Sequence, residues 1–275
     1  MENEKKIVRH DSETGRFYEI DGQFYPSATT ILEAYPMSFY LREFLQENTK
    51  AEAERKKNEA AIRGSKIHHT IELILAGRVV SNEGITLDQI KFLGLTDQKL
   101  IRYLQEPFTE REDTMMRGFM QFWEDYTPKV IKSEEIVFST KYRFAGTLDS
   151  ILKIYLPQTA KSLAAVKESG KKTPPRKSLK VLVDFKTGKA LYPEYDLQVG
   201  AYWQALKEMG RVKGKVHVAL LQLGINKCGY KFKFVEDPKK AFQDFLKVKE
   251  TWEMVNPNAA PKTYEFLPEY GVKLK

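Results

Sequence analysis

Residues 181–189, VLVDFKTGK, join a short apolar run to two opposite charges just before a Thr-Gly turn. The apolar run predicts a β-strand, and because successive side chains of a strand point to opposite faces, Asp184 and Lys186 share one face. A carboxylate and an ammonium at the end of a core strand are costly unless they pair, bind a metal or face a cleft. An edge strand that carries a solvated ion pair is the alternative.

The segments around this strand predict a mixed β-sheet flanked by helices. Strand patterns occur before it, in VIKSEEIVFST and YRFAGTLDSILKIY, and after it, in VHVALLQLG and YKFKFVE. Helical patterns occur in EYDLQVGAYWQALKEMG, which ends at Gly210, and in DPKKAFQDFLKVKETWEMV. The order is β-β-β-α-β-β-α, so the fold class that we expect is α/β or α+β with a mixed central sheet.

The chain before residue 128 differs from the rest in that its patterns are mostly helical. RFYEIDGQFY, residues 16–25, alternates around an Asp-Gly pair and predicts a β-hairpin, and the following segments are helical, including a long charged helix that ends at Gly77. We therefore expect an N-terminal hairpin and helical lobe, 1–127, and a sheet core, 128–275. Within the core, residues 157–180 are rich in Lys, Ser and Pro and predict a flexible basic loop.

Composition narrows the class of protein. The formal net charge is +8 and the pI is near 9.2, which favours a polyanionic partner such as nucleic acid, although a solvated basic surface is the alternative. We expect a cytoplasmic protein, because the first residues form no apolar leader and no run approaches the roughly 18 apolar residues of a membrane span. The single Cys228 excludes an intramolecular disulfide and a cysteine-ligated iron–sulfur cluster or zinc finger.

Two further candidates precede the strand. Asp149 follows Gly146 in FAGTLDSILKI, where a turn or bulge aspartate is the alternative. His68 lies in the helix RGSKIHHTIELIL, where helical periodicity turns it inward and leaves Gly64 one turn earlier to make space, while His69 is expected to point away. An ordinary core histidine is the alternative for His68.

The helix after the strand contributes Gln198 and Tyr202, which are four residues apart and therefore share one face. The helical wheel puts them in the middle of the side that packs. A glutamine there needs hydrogen-bond partners, either in a site or in a purely structural bond to neighbouring backbone.

Together these motifs are specific in order and spacing: Gly-x-x-x-His on a helix, Gly-x-x-Asp on a strand, Asp-x-Lys-Thr-Gly-Lys at a strand end, and Gln-x-x-x-Tyr on the next helix. The pattern, from residue 64 to about 223, resembles the RecB-type branch of the PD-(D/E)XK nuclease superfamily. This branch includes the nuclease domains of RecB and AddB, CRISPR-associated RecB-like exonucleases and the mitochondrial genome maintenance exonuclease. The resemblance implies a restriction-endonuclease-like core.

The resemblance also implies roles for individual residues. His68, Asp149, Asp184 and the backbone carbonyl of Phe185 would bind one or two Mg²⁺ or Mn²⁺ ions, which suits their oxygen and imidazole donors. Lys186 would orient or help deprotonate the attacking water, and the Gln198/Tyr202 pair would position the site near DNA. The cysteine quartet of some relatives is missing, so no iron–sulfur cluster is expected.

The implied activity is a metal-dependent DNA nuclease, in the first place an exonuclease acting on single-stranded ends. An endonuclease or nickase on the same core and a non-catalytic DNA-binding subunit are the alternatives. Glu72 is a candidate partner for His68, and Glu135 a weaker candidate for an acidic contact, with a solvated strand-end charge as its alternative. Six basic residues of the long helix could contact phosphates or form a solvated helix face: Lys50, Arg55, Lys56, Lys57, Arg63 and Lys66.

Overall fold

The computed structural model describes residues 7–157, 176–225 and 229–261, without the side chains of residues 39 and 40. Most of the predicted basic loop and Cys228 lie outside these ranges. The described strands are β1 (Ile7–Ser12), β2 (Gly15–Ile20), β3 (Gln23–Pro26), β4 (Lys129–Ser139), β5 (Phe144–Tyr155), β6 (Ser178–Lys186), β7 (His217–Ile225) and β8 (Gly229–Phe234). The helices are α1 (Ala28–Leu32), α2 (Phe39–Glu47), α3 (Lys50–Leu75), α4 (Leu87–Leu93), α5 (Gln98–Gln105), α6 (Glu110–Tyr126), α7 (Pro193–Met209) and α8 (Pro238–Val255).

The central sheet has five strands in the order β4-β5-β6-β7-β8. Its neighbours are antiparallel except for the parallel pair β6 and β7. A parallel pair needs a crossover connection, and α7 provides it. The predicted mixed sheet flanked by helices is confirmed, as is the order β-β-β-α-β-β-α.

Both faces of this sheet are covered, which explains why β6 begins as a nearly continuous apolar run. Val183 and Phe185 pack on one face against α3 and α6. Leu182 packs on the other face among residues of α7 and α8. The alternation puts Asp184 and Lys186 on the Leu182 side, where α7 passes the end of the strand.

The predicted hairpin at 16–25 is confirmed as β2 and β3, and β1 adds a third antiparallel strand. The turn residues Asp21 and Gly22 have φ of 52° and 75°, the left-handed pair that a tight hairpin turn requires. This small sheet packs its inner face against Phe138 and Ala145 of the central sheet. The small sheet therefore covers part of the central sheet at β4 and β5.

The long helix α3 starts at a capping box formed by Thr49 and Glu52 and stops before Gly77, whose φ is 77°. Apart from Ala53, its buried residues begin at Lys66, so the N-terminal half of the helix is mainly open to solvent and the C-terminal half packs on the sheet. His68 belongs to the packed half.

One bound differs from the predictions. β6 begins at Ser178, so residues 178–180 are paired with β5 instead of belonging to the basic loop. Arg176 fixes the start of this strand by donating from its Nε to the Leu156 carbonyl at 2.9 Å. Among the described helices, none is long and apolar enough to cross a membrane.

Candidate active site

The site begins where the β5–β6 ladder ends. Ser150 and Val183 are the last paired residues, and the same register puts Asp149 opposite Asp184. Instead of a further ladder bond, the backbone N–H of Phe185 donates to the Asp149 carboxylate at 2.6 Å. The carboxylate of Asp149 thus enters the gap between two diverging strands, and the predicted Gly-x-x-Asp and Asp-x-Lys motifs meet there.

Asp184 and Lys186, the two opposite charges of the stretch VLVDFKTGK, form an ion pair. The Lys186 Nζ lies 2.7 Å from the Asp184 Oδ2, and the Asp184 residue is only 2% exposed. The Lys186 Nζ also lies 4.3 Å from the centre of the Tyr195 ring, a cation–π contact. The solvated edge-strand alternative is therefore wrong for this pair.

Gln198 connects the pair to α7. Its Oε1 accepts from the Lys186 Nζ at 2.9 Å, and its Nε2 lies 3.3 Å from the Asp184 Oδ1 and 3.0 Å from the Tyr202 hydroxyl. Every polar atom of this buried amide is used, as a glutamine on a packing face requires. The amide bonds fix both charged groups of the strand.

The glycine of the Gly-x-x-Asp motif makes room for this arrangement. A Cβ added at Gly146 would lie 2.3 Å from the Cε1 of Tyr202, so the tyrosine ring packs directly on the strand backbone. Gly64 has a similar role on the other side, because a Cβ there would lie 3.1 Å from the Thr187 Oγ1. Both glycines permit a helix to approach the end of β6.

His68 projects from α3 toward the carboxylates. Its Nδ1 lies 3.5 Å from the Asp149 Oδ1, its ring packs edge-on to Phe185, and its side chain is 32% exposed. Burial disfavours the imidazolium, but Asp149 outweighs it and raises the pKa of His68 to about 9. The carboxylate of Asp149 therefore favours the protonated form of His68.

The two aspartates differ electrostatically. Burial alone would raise the pKa of Asp149, but His68 reverses this and holds that pKa below its ordinary value. Burial raises the pKa of Asp184 to about 6, with Lys186 opposing the shift and Asp149 adding to it. The Asp184 Oδ2 makes its ion pair without the alignment of a hydrogen bond and is otherwise unpartnered among the described residues. Asp184 therefore holds a charge that the protein alone satisfies incompletely.

Glu134 was missed by the sequence analysis, which considered its neighbour. The pairs Ser133–Ser150 and Glu135–Leu148 put Glu134 opposite Asp149, and its side chain opens into the same cleft. Glu134 is exposed as a whole residue, but partial burial of its carboxyl, followed by the charges of Asp149 and Glu72, raises the pKa of Glu134 to about 8. Its φ of 48° is unusual for a strand residue with a side chain and costs about 1–3 kcal/mol. The adjacent glutamates of SEEIVF were the only available signal.

Glu135 follows the alternative given for it, a strand-end charge outside the site: it pairs with Lys132 at 3.2 Å and Arg211 at 2.7 Å. Two expectations about neighbouring residues are wrong. Glu72 contacts the Nδ1 of His69 at 3.1 Å, where a contact with His68 was expected. His69 does not point away but lines the same cleft. Both His68 and His69 therefore line the cleft.

Gln222 of β7 supports the turn after Lys186. It is paired in register with Lys186, is 3% exposed, and donates from its Nε2 to the Gly188 carbonyl at 2.9 Å. The bond fixes the Thr-Gly turn from the neighbouring strand. A polar residue within the apolar strand VHVALLQLG was a signal for it.

All of the predicted site residues line one cleft of about 920 Å³, bounded by the end of β6, α7, α3 and α2. They are His68, Asp149, Asp184, Phe185, Lys186, Gln198 and Tyr202. Charges of both signs line the cleft. The acidic side chains besides the two aspartates are Glu59, Glu72, Glu134 and Glu194, and the cationic side chains besides Lys186 are Arg9, Arg16, Lys56, Lys57, Arg63, Arg111 and Lys189.

The donor set fits a hard divalent cation chemically, since it combines two close carboxylates, an imidazole and an incompletely satisfied buried oxygen. Within the described ranges, however, no three His, Cys, Asp or Glu side chains already stand in the arrangement of a metal site. His68 and Lys186 lie beside the carboxylates, each in contact with one of them. Metal binding would therefore require His68 to lose its proton and the Lys186 contact to loosen.

Comparison with known proteins adds little to this description. No family model matches the chain, and no curated protein matches it. Among solved structures, the chain is similar to the crystal structure of a putative exonuclease from Eubacterium rectale, with 14% identity and a TM-score of 0.39 over 88% of this chain and 91% of that chain. A likeness this distant carries no argument about activity.

Proposed function

We propose that the protein is a metal-dependent nuclease that hydrolyses phosphodiester bonds in DNA, and that it is an exonuclease acting on single-stranded ends. The observation that carries the proposal is the convergence of Asp149, Asp184 and Lys186 in one cleft. Charged groups are costly to bury, so their clustering at a strand end favours a catalytic use over a structural one. The order of the motifs, which resembles RecB-type nucleases, supports the choice of reaction.

The proposed metal ligands are His68, Asp149, Asp184 and the Phe185 carbonyl. A bound Mg²⁺ or Mn²⁺ would neutralise the phosphate and lower the pKa of a water molecule. Lys186 is proposed to orient that water through its ammonium and to offset the charge of the phosphate; to help deprotonate the water it would first have to lose its own proton. Gln198 holds the Lys186 ammonium, and Tyr202 holds the Gln198 amide, so both act as positioning residues.

The preference for single-stranded ends rests on the resemblance, because relatives that carry the histidine on a helix before the core are mostly exonucleases. The cleft supports it to the extent that α2 and α3 cover one side and leave a passage beside the carboxylates that cationic side chains line in part. An endonuclease would use the same carboxylates and lysine. Only an assay that compares linear with circular DNA can therefore distinguish an exonuclease from an endonuclease.

The experiment incubates the purified protein with Mg²⁺ or Mn²⁺ and three substrates: end-labelled linear single strands, linear duplex, and covalently closed single-stranded circles. Asp184→Ala is the blank. Degradation of linear strands with circles spared is the expected result, and the position of the label gives the polarity. Cut circles would identify an endonuclease. DNA binding without cleavage of any substrate would favour a non-catalytic subunit, and activity that survives in Asp184→Ala would refute the site assignment.

A further inference from the structure

Two arginines at the junction of α3 and α6 have no role in the proposed reaction. Arg63 precedes Gly64 on α3, and Arg111 is the second residue of α6. Both line the cleft that contains Asp149 and Asp184. Neither forms an ion pair with a carboxylate of the described residues, whereas Arg9, Arg16 and Arg55, also near this cleft or on α3, each do.

Arg63 is also incompletely hydrogen-bonded. Its Nε is buried and has no partner among the described residues, although the side chain as a whole is only half-buried. A buried guanidinium N–H without an acceptor is unusual, because buried polar groups are nearly always bonded. The side chain therefore lacks an acceptor that a ligand could provide.

The neighbourhood of Arg63 is unfavourable for a cation in the absence of an anion. Burial and then the charge of Arg111 lower the pKa of Arg63. The charges of Glu112 and Glu59 oppose this shift only in part, and neither carboxylate forms an ion pair with Arg63. A bound anion would offset the repulsion between the two arginines. Guanidinium groups bind phosphate with paired N–H donors, which suits them to this ligand.

The basic residues of the long helix α3 have different environments. Lys66, predicted as a phosphate contact, is fully buried, and its Nζ donates to the carbonyls of Glu106 at 2.8 Å and Pro107 at 3.1 Å beside Glu112. Arg55 is exposed and paired with Glu59 at 2.6 Å. Arg63 lies between these two and differs from both, since it faces the cleft and has no carboxylate partner.

From this we infer that Arg63 and Arg111 form a binding site for a phosphate group of the DNA substrate other than the one that is cleaved. This inference rests on the proposed nuclease function and extends it. His68 is five residues further along α3, so the two positions are separated by about 7.5 Å along the helix axis. That separation allows one strand to contact both while its phosphates occupy different places.

The test measures the affinity of single-stranded DNA in the Asp184→Ala background, where hydrolysis does not interfere. Arg63→Gln and Arg111→Gln are each expected to weaken binding about tenfold. Each is also expected to reduce the slope of log affinity against log salt by about 0.7, as for one lost phosphate contact on a single strand. Arg55→Gln is the matched control, because it removes the same charge from the same helix outside the cleft.

Modified DNA identifies the phosphate. Oligonucleotides with one neutral methylphosphonate linkage at successive positions test internal phosphates, and oligonucleotides without a terminal phosphate test the end. One modification should weaken binding to the parent but not to Arg63→Gln. Arg111 is exposed, so Arg111→Gln remains informative if Arg63→Gln folds poorly.

The outcomes separate the two proposals. If the wild-type enzyme cleaves DNA, but Arg63→Gln and Arg111→Gln in the Asp184→Ala background bind DNA like Arg55→Gln, the phosphate site is refuted and the nuclease proposal stands. Equal sensitivity of all variants to every modification would also refute it. If the wild-type protein neither binds nor cleaves DNA, the nuclease proposal itself fails.

Discussion

The two walls of the cleft satisfy their charges in opposite ways. On the sheet wall, Asp184, Lys186 and Gln198 contact one another within 3.3 Å and hold one another in place, although the Asp184 Oδ2 has no aligned hydrogen bond. On the helical wall, Arg63 and Arg111 have no carboxylate partner in the described part of the chain. A wall that is already bonded suits chemistry that depends on geometry, and a wall with unpaired cations suits the binding of an anion.

The largest expected effect comes from Lys186→Ala on the sheet wall. A positioned proton-transfer group contributes about 10² to 10⁴-fold to a rate, so kcat should fall by that factor while DNA affinity changes little. Lys189→Ala is the control, since Lys189 lines the cleft, is exposed and lies three residues away. It should weaken affinity and leave kcat unchanged. A nearly normal kcat in Lys186→Ala would mean that the sheet wall is not the wall that carries the catalytic step.

Packing on the sheet wall is tested by Gly146→Ala. The new Cβ would lie 2.3 Å from the Tyr202 Cε1, so the ring must shift and carry Gln198 with it. We expect a loss of about 1–3 kcal/mol in the free energy of unfolding and a lower kcat, measured by urea denaturation and initial rates.

Gly188→Ala is the matched control, because a Cβ there meets nothing closer than 3.6 Å. Equal losses in both variants would mean that the tight approach of Tyr202 is not required. A normal kcat in a destabilised Gly146→Ala protein would mean that Gln198 does not depend on this packing.

These contacts also explain what could be predicted from the sequence. The pleat of β6 and the periodicity of α7 depend on local geometry, so the common face of Asp184 with Lys186 and of Gln198 with Tyr202 was predictable. The position of Glu134 was not, because its left-handed backbone conformation and its place opposite Asp149 depend on the pairing of β4 with β5. Likewise, periodicity alone could not distinguish buried Lys66 from cleft-lining Arg63, since the difference comes from α5 and α6.

Glu134 extends the comparison to adjacent residues of one strand. Glu134→Gln should lower kcat about tenfold and raise the metal concentration needed for activity, as expected for a group that supports a metal site. Glu135→Gln loses ion pairs with Lys132 and Arg211, which lie outside the cleft, and should change neither. Titrating activity with Mn²⁺ in both variants checks this, and similar behaviour of the two would exclude a special role for Glu134.

The smallest effect concerns His68 in metal-free protein. The pKa of His68 is raised to about 9 from an ordinary value of 6.5, so the stability that it contributes is complete below pH 6.5 and is lost as the pH rises to about 9. The free energy of unfolding, measured in EDTA, should therefore fall by on the order of 1 kcal/mol more in the wild type than in His68→Gln over this interval. Glu134, with a pKa of about 8, contributes with the same sign at slightly lower pH.

His217→Gln provides the opposite case, because burial and nearby lysines lower the pKa of His217. A histidine whose pKa is lowered in the folded state destabilises the fold when it is protonated. The free energy of unfolding therefore rises as the pH rises toward 6.5 and the histidine loses its proton. The His217 variant should therefore retain the decline between pH 6.5 and 9. The His68 variant should lose the part between pH 8 and 9, where Glu134 contributes little. A decline between pH 8 and 9 that persists in His68→Gln would mean that Asp149 does not hold a proton on His68.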